Sequence, residues 1–111
     1  MAYDEKLAER VRRALTPREG LSEKRMFGGI AFMLRGNMAC GIVKDELMVR
    51  VGPERYDDAL ARPHARPMDF TGRPMRGMVY VEPEGCRTDE GLKWWVEQGL
   101  NFAASLPAKS P

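Results

Sequence analysis

The chain has 111 residues and a mass of 12.6 kDa, of which 43% are hydrophobic and 31% charged. That composition belongs to a globular domain large enough for a real core, and it excludes a disordered or fibrous chain. The 18 basic and 16 acidic residues leave a net charge of +2 with the signs interleaved, whereas a nucleic-acid footprint shows clustered Lys and Arg.

The uncharged stretch Met26 to Leu34 is far shorter than the roughly 20 apolar residues of a membrane span. The opening MAYDEKLAER alternates acid and base where a secretory signal carries an apolar run. The chain is therefore expected in the cytoplasm, away from membranes.

Residues 4–15 are predicted as an amphipathic helix, with Leu7, Val11, Ala14 and Leu15 on one face and Asp4 and Glu5 in the first turn, where the helix dipole favours anions. Lys6, Arg10 and Arg13 share a second face, with Glu5 and Glu9 near enough to pair with them. Thr16-Pro17 ends this helix. From Glu23 to Val51 short apolar or alternating runs predict an antiparallel meander. Gly36-Asn37 and Lys44-Asp45 are its hairpin candidates, and Gly28-Gly29 suggests a bulge or a close backbone approach.

Gly52-Pro53 is expected to open a short helix that Pro63 closes. Arg66 to Phe70 predicts an edge strand, because Pro67 cannot donate to a ladder, and Gly77 to Val81 a further strand after a Thr71-Gly72-Arg73-Pro74 turn. The last and longest helix runs from an N-cap at Thr88 to about Leu106, its apolar face spanning Leu92, Trp95, Val96, Gly99, Leu100 and Ala103. The fold class is thus α+β in the order α-β-β-β-β-α-β-β-α, residues 1–111 forming one domain.

The chemical inventory is thin. Cys40 and Cys86 stand far apart in sequence, which excludes a CxxC pattern. Cys40, in MACGIV, is expected in the core, and Cys86, after Gly85, is a candidate for partial exposure. The one histidine, His64, has no partner nearby in sequence, and the glycines do not complete a nucleotide fingerprint. No metal and no cofactor is expected. Trp94 lies about 100° around the last helix from the apolar-face Trp95 and is a candidate partner anchor. Met75 and Met78 are candidates for an adaptable groove.

Four segments occur together in order: Arg25-Met26-Phe27-Gly28-Gly29-Ile30-Ala31-Phe32, the Gly36-Asn37-Met38 turn, Leu47 to Pro53, and Arg66-Pro67-Met68-Asp69-Phe70-Thr71-Gly72-Arg73-Pro74-Met75. With the helix from Trp94-Trp95-Val96 to Pro107, this pattern resembles the N-terminal domain of the TfoX/Sxy family over nearly the whole chain. The resemblance implies a secretion-chaperone-like sheet with helices on one side, often paired as a homodimer. Full-length members of that family regulate natural competence with the cyclic-AMP receptor protein and carry a second, helical C-terminal domain, so this chain reads as the stand-alone N-terminal domain.

Beside the resemblance, Arg25, Arg50, Asp69, Arg73 and Tyr80 are expected to converge at the sheet edge, and Gly28, Gly29 and Trp94 complete the candidate binding set. The leading expectation is a non-enzymatic module that binds a protein partner and influences transcription. The alternatives are nucleic-acid binding through the Lys6, Arg10 and Arg13 face, and a small-molecule or enzymatic site built on the Arg/Asp/Tyr cluster.

Overall fold

The computed structural model describes residues 3–15, 19–26, 28–68 and 77–107. Helix α1 (Glu5–Leu15) begins one residue later than the periodicity predicts, because Asp4 is its cap: the Asp4 carboxylate accepts from the backbone N–H groups of Lys6 and Leu7 at 2.9 and 3.1 Å. Strands β1 (Leu21–Met26), β2 (Gly29–Leu34), β3 (Asn37–Val43) and β4 (Glu46–Arg50) form the expected antiparallel meander. After α2 (Tyr56–Leu60), β5 (Ala65–Pro67) and β6 (Met78–Val81) extend it to a six-stranded antiparallel sheet of order β1-β2-β3-β4-β6-β5. A 3-10 turn, Pro83–Cys86, leads into α3 (Asp89–Ala104), whose Thr88 cap accepts from the Gly91 N–H at 3.0 Å.

Two local expectations need correction. The β2–β3 hairpin turns at Arg35-Gly36, not Gly36-Asn37: both turn residues take positive φ, 51° and 83°, as a two-residue primed turn demands. Asn37 is instead the buried first residue of β3, its amide donating to the Pro107 carbonyl at 2.9 Å. Pro53 lies in a turn ahead of α2 rather than in its first helical position. At Gly28-Gly29 the expected close backbone approach is met, Gly29 passing close to the Ile42 carbonyl and Gly28 occupying the β1–β2 turn, while the bulge of β2 falls between Phe32 and Met33 opposite β3. Strand β5 ends at Pro67, and the expected Asp69 and Phe70 lie outside the described residues.

Strand alternation gives the sheet two unlike faces. Phe32, Ile42, Leu47, Val49, Val79 and Val81 point to the face that α3 covers, and α1 packs against α3 in turn. The opposite face carries Met48, Met68, Met78 and Tyr80, with Met38 and Val43 half-buried beside them. The α1 face is tied down at its rim by Arg12, which donates to Glu9 at 2.6 Å and forks onto Glu23 of β1 at 2.7 and 2.9 Å. That fork holds the Glu23 carboxyl below its ordinary range.

Helix α3 comes closest to the sheet at Gly99, where any Cβ would collide with the Ala39 carbonyl oxygen of β3. A Gly99→Ala substitution gains helix propensity but must lift the helix from the sheet, and overpacking of this kind costs about 1–3 kcal/mol. The expected outcome is a lower urea midpoint for Gly99→Ala; an unchanged midpoint would mean that α3 is not seated on β3 as described.

Candidate functional site

Among the described residues, the elements that cover the sheet leave a gap between α2 and α3. Helix α2 packs through Tyr56 and Ala59 onto β5 and β6, while α3 lies on β2, β3 and β4. Between the two runs a cleft of about 440 Å³ bounded by Val51, Gly52, Arg55, Gln98 and Phe102, continued by one of about 210 Å³ that reaches Arg62 and Trp94. Both sections share Val51, Arg55 and Gln98, so they form one groove along α3.

Helical geometry explains why α3 serves two purposes. Trp95, Val96, Gly99, Leu100 and Ala103 are buried against the sheet, while Trp94, Gln98, Asn101 and Ser105 fall within about 60° of one another around the axis and face the groove. Phe102 flanks that stripe and lies against Gly52, whose φ of +87° and missing side chain make room for the ring. The two tryptophans meet edge to face with centroids 4.8 Å apart, so Trp94, half-buried, is braced by the buried Trp95.

Two arginines stand over these rings, and a third is bonded to Gln98. The Arg62 guanidinium lies 3.6 Å from the Trp94 ring centroid and the Arg50 guanidinium 5.2 Å from that of Phe102, both cation–π contacts. Between them Arg55 donates to the Gln98 side-chain carbonyl at 3.3 Å. None of the three has an ion-pair partner among the described residues, whereas Arg10, Arg12, Arg66 and Arg87 each sit by a carboxylate.

The expected convergence of Arg25, Arg50, Asp69, Arg73 and Tyr80 is met only in part. Arg25 lies on β1, the far edge of the sheet from β5, and pairs in register with Ile30 on the helix-covered face. Arg50 and Tyr80 sit on the adjacent strands β4 and β6, in register with Met78 and Met48. Tyr80 is buried beneath the Arg66 guanidinium at 4.6 Å, and Arg66 is also ion-paired with Glu46. Asp69, Arg73 and Met75 lie outside the described residues, and Met78 is buried. Of the sequence-predicted set, Trp94 lines the groove, and Arg50 lies beyond its Phe102 end in an adjoining cavity of about 100 Å³ shared with Gly52, Pro53, Gly77 and Met78; Arg55, Arg62, Gln98 and Phe102 were not among the expected residues.

On α1, Arg10 bridges to Asp89 at 3.3 Å and Arg12 is shared by two glutamates, leaving Lys6 and Arg13 exposed. That arrangement dilutes the basic face. Cys86 departs from its expected partial exposure: it is buried at 2%, and Cys40, as expected, is fully buried. Burial pushes the Cys40 thiol up to about 12, with Cys86 nearby adding to the effect, and the Cys86 thiol up to about 11. His64 is exposed and 3.9 Å from Glu82. Among the described residues no group of three or more His, Cys, Asp or Glu side chains is placed to hold a metal ion, and no helix is long and apolar enough to cross a membrane.

The family model for the TfoX N-terminal domain matches residues 13–103, most of the chain. The chain belongs to the TfoX N-terminal domain family. No curated protein and no solved structure matches it. The TfoX N-terminal match takes in β1 to β6 and all but the last residue of α3, and so includes both walls of the groove.

The thiols give a test of burial that is independent of function. A thiol protonated to higher pH in the folded state than in the unfolded chain favours folding below about pH 9, and that advantage is lost as pH rises toward 11–12. Stability should therefore fall above about pH 9 by up to about 1.4 kcal/mol per pH unit for each thiol. Urea melts of Cys86→Ala at pH 8 to 11 should show a shallower fall than wild type; parallel slopes would contradict a buried Cys86.

Proposed function

We propose that this TfoX N-terminal domain is a non-enzymatic protein-interaction module that holds its partner in the α2–α3 groove and acts on transcription through that partner. The observation that carries the reading is the groove itself: a concave surface with a braced tryptophan, a second aromatic ring and cations held in place, the residue types that dominate interface energetics. Its lining residues Arg55, Gln98, Asn101 and Ser105 supply hydrogen-bonding groups for orientation, but no nucleophile paired with a base. Both thiols are sealed in the core, and a thiol kept protonated is a poor nucleophile.

Self-association belongs to the same reading. Met38 and Val43 leave a half-buried apolar strip on the sheet face opposite the helices, and a second copy laid face to face would cover it. Sedimentation of wild type should give a dimer, and Val43→Glu a monomer with an unchanged circular-dichroism spectrum. Wild type sedimenting as a monomer at about 100 μM would remove the dimer from this reading.

The groove is tested by retention of partners from lysate of the cell that makes the protein, using tagged wild type and Trp94→Ala with and without nuclease. A protein retained by wild type in both conditions and lost with Trp94→Ala is the expected result. Retention by both variants overturns the groove assignment, and material that vanishes with nuclease overturns the protein-interaction reading in favour of nucleic acid. Trp94 packs on the core through Trp95, so a Trp94→Ala thermal melt within about 2 °C of wild type is needed to show that lost retention is not lost folding.

A further inference from the structure

The groove carries more information than an apolar patch, because its cations are spaced and held. Arg62 marks one end at Trp94 and Arg50 the other at Phe102, with Arg55 between them on Gln98. Trp94 and Phe102 are separated by eight positions of α3, a rise of about 12 Å. Stacking on a ring uses the face of a guanidinium and leaves the N–H donors at its rim free for a carboxylate. A cation held this way loses little further rotamer freedom on binding.

Resting on the groove reading above, we propose that the occupant is an extended acidic segment of a protein partner, of the form acidic-x-apolar-x-acidic. An extended chain advances about 3.3 Å per residue and returns to the same side every second residue, so positions four apart stand about 13 Å apart on one face. That span matches the distance between the two aromatic stations. The outer carboxylates meet Arg62 and Arg50, and the central apolar side chain rests on Val51 and Gly52, which floor the groove between them. Arg55 serves the peptide backbone carbonyls or a neighbouring carboxylate. Glu54 and Asp58 also line the groove, so a carboxylate is favoured only where an arginine stands, and a chain that carries negative charge at every position is repelled between those stations. The Arg13, Arg25 and Arg35 side chains are also free of ion pairs among the described residues, but they are exposed and line neither section of the groove.

The test is selection of a random twelve-residue peptide library displayed on phage against the intact domain, every enriched peptide then being measured on Trp94→Ala. The proposal expects enriched peptides with Asp or Glu four positions apart around a Leu, Ile, Met or aromatic residue. Binding of a fluorescein-labelled enriched peptide should weaken about tenfold in Arg62→Gln and in Arg50→Gln. It should also weaken between about 50 and 500 mM salt, with much of the mutant effect lost at the higher salt. Enriched peptides that are neutral or basic yet still require Trp94 overturn the acidic occupant and leave the groove reading standing. Peptides that bind Trp94→Ala equally well overturn the groove reading itself. Failure to enrich any peptide overturns the extended-segment proposal, and tighter binding of a dT12 oligonucleotide than of the selected peptide assigns the groove to nucleic acid. Thermal melts of each Arg→Gln variant within about 2 °C of wild type confirm that lost binding is not lost folding.

Discussion

The close seating of α3 on β3 governs the rest of the molecule. Gly99 lets the helix backbone approach the Ala39 carbonyl, closer than any side chain there would allow. With that contact made, Trp95, Val96, Leu100 and Ala103 are committed to the sheet, and the helical repeat commits Trp94, Gln98 and Asn101 to the side facing α2. The groove is therefore a by-product of core packing. A helix that sat higher on the sheet would both loosen the core and lift the tryptophan away from Arg62.

The electrostatics of the surface follow from which cations found carboxylates. Arg12 is fully satisfied by a fork to Glu23 and a bond to Glu9, and Arg66 is shared between Glu46 and the Tyr80 ring; these hold α1 to the sheet rim and β5 to its neighbours. Exposed pairs of this kind contribute little stability each. Arg50, Arg55 and Arg62 have no such carboxylate partner among the described residues and are held instead by aromatic rings and Gln98. The groove lining is itself mixed, with Arg55 and Arg62 beside Glu54 and Asp58 and Arg50 beyond its end, so its arginines act as separate stations rather than as one positive field.

Much of the fold was legible in the sequence because it is written in short-range patterns. Period-two runs with turn residues between them gave the meander, helical spacing gave α1 and α3, and the Thr88 cap fixed the start of α3. The errors came where two local signals competed. Arg35 accepts a positive φ that glycine or asparagine would ordinarily supply, so the hairpin register moved by one residue and Asn37 entered the core. The thiol of Cys86 follows a glycine in a turn, yet that 3-10 turn is folded against α3 and β6, a long-range fact. The groove was legible only through Trp94, whose angle from Trp95 placed it off the apolar face. Arg50, Arg55 and Arg62 come from a strand end and the two ends of α2, and nothing in their local sequence says that they meet one helix.

The two walls of the groove differ in stiffness, and the arginines connect them. Helix α3 is 16 residues long, capped by Thr88 and buried along one side. Helix α2 has five residues, its Arg55 cap position makes no side-chain capping bond, and its buried Tyr56 and Ala59 anchor it with Leu60 packed beside them. An isolated helix of that length has no stability of its own. Arg55 and Arg62 bracket it and reach across to Gln98 and Trp94, so the contacts that line the groove also hold the soft wall to the rigid one. A carboxylate that engages the free edges of those guanidinium groups can leave the stacking intact. Binding then need not break what closes the groove, and the same contacts that order the empty site can persist in the filled one.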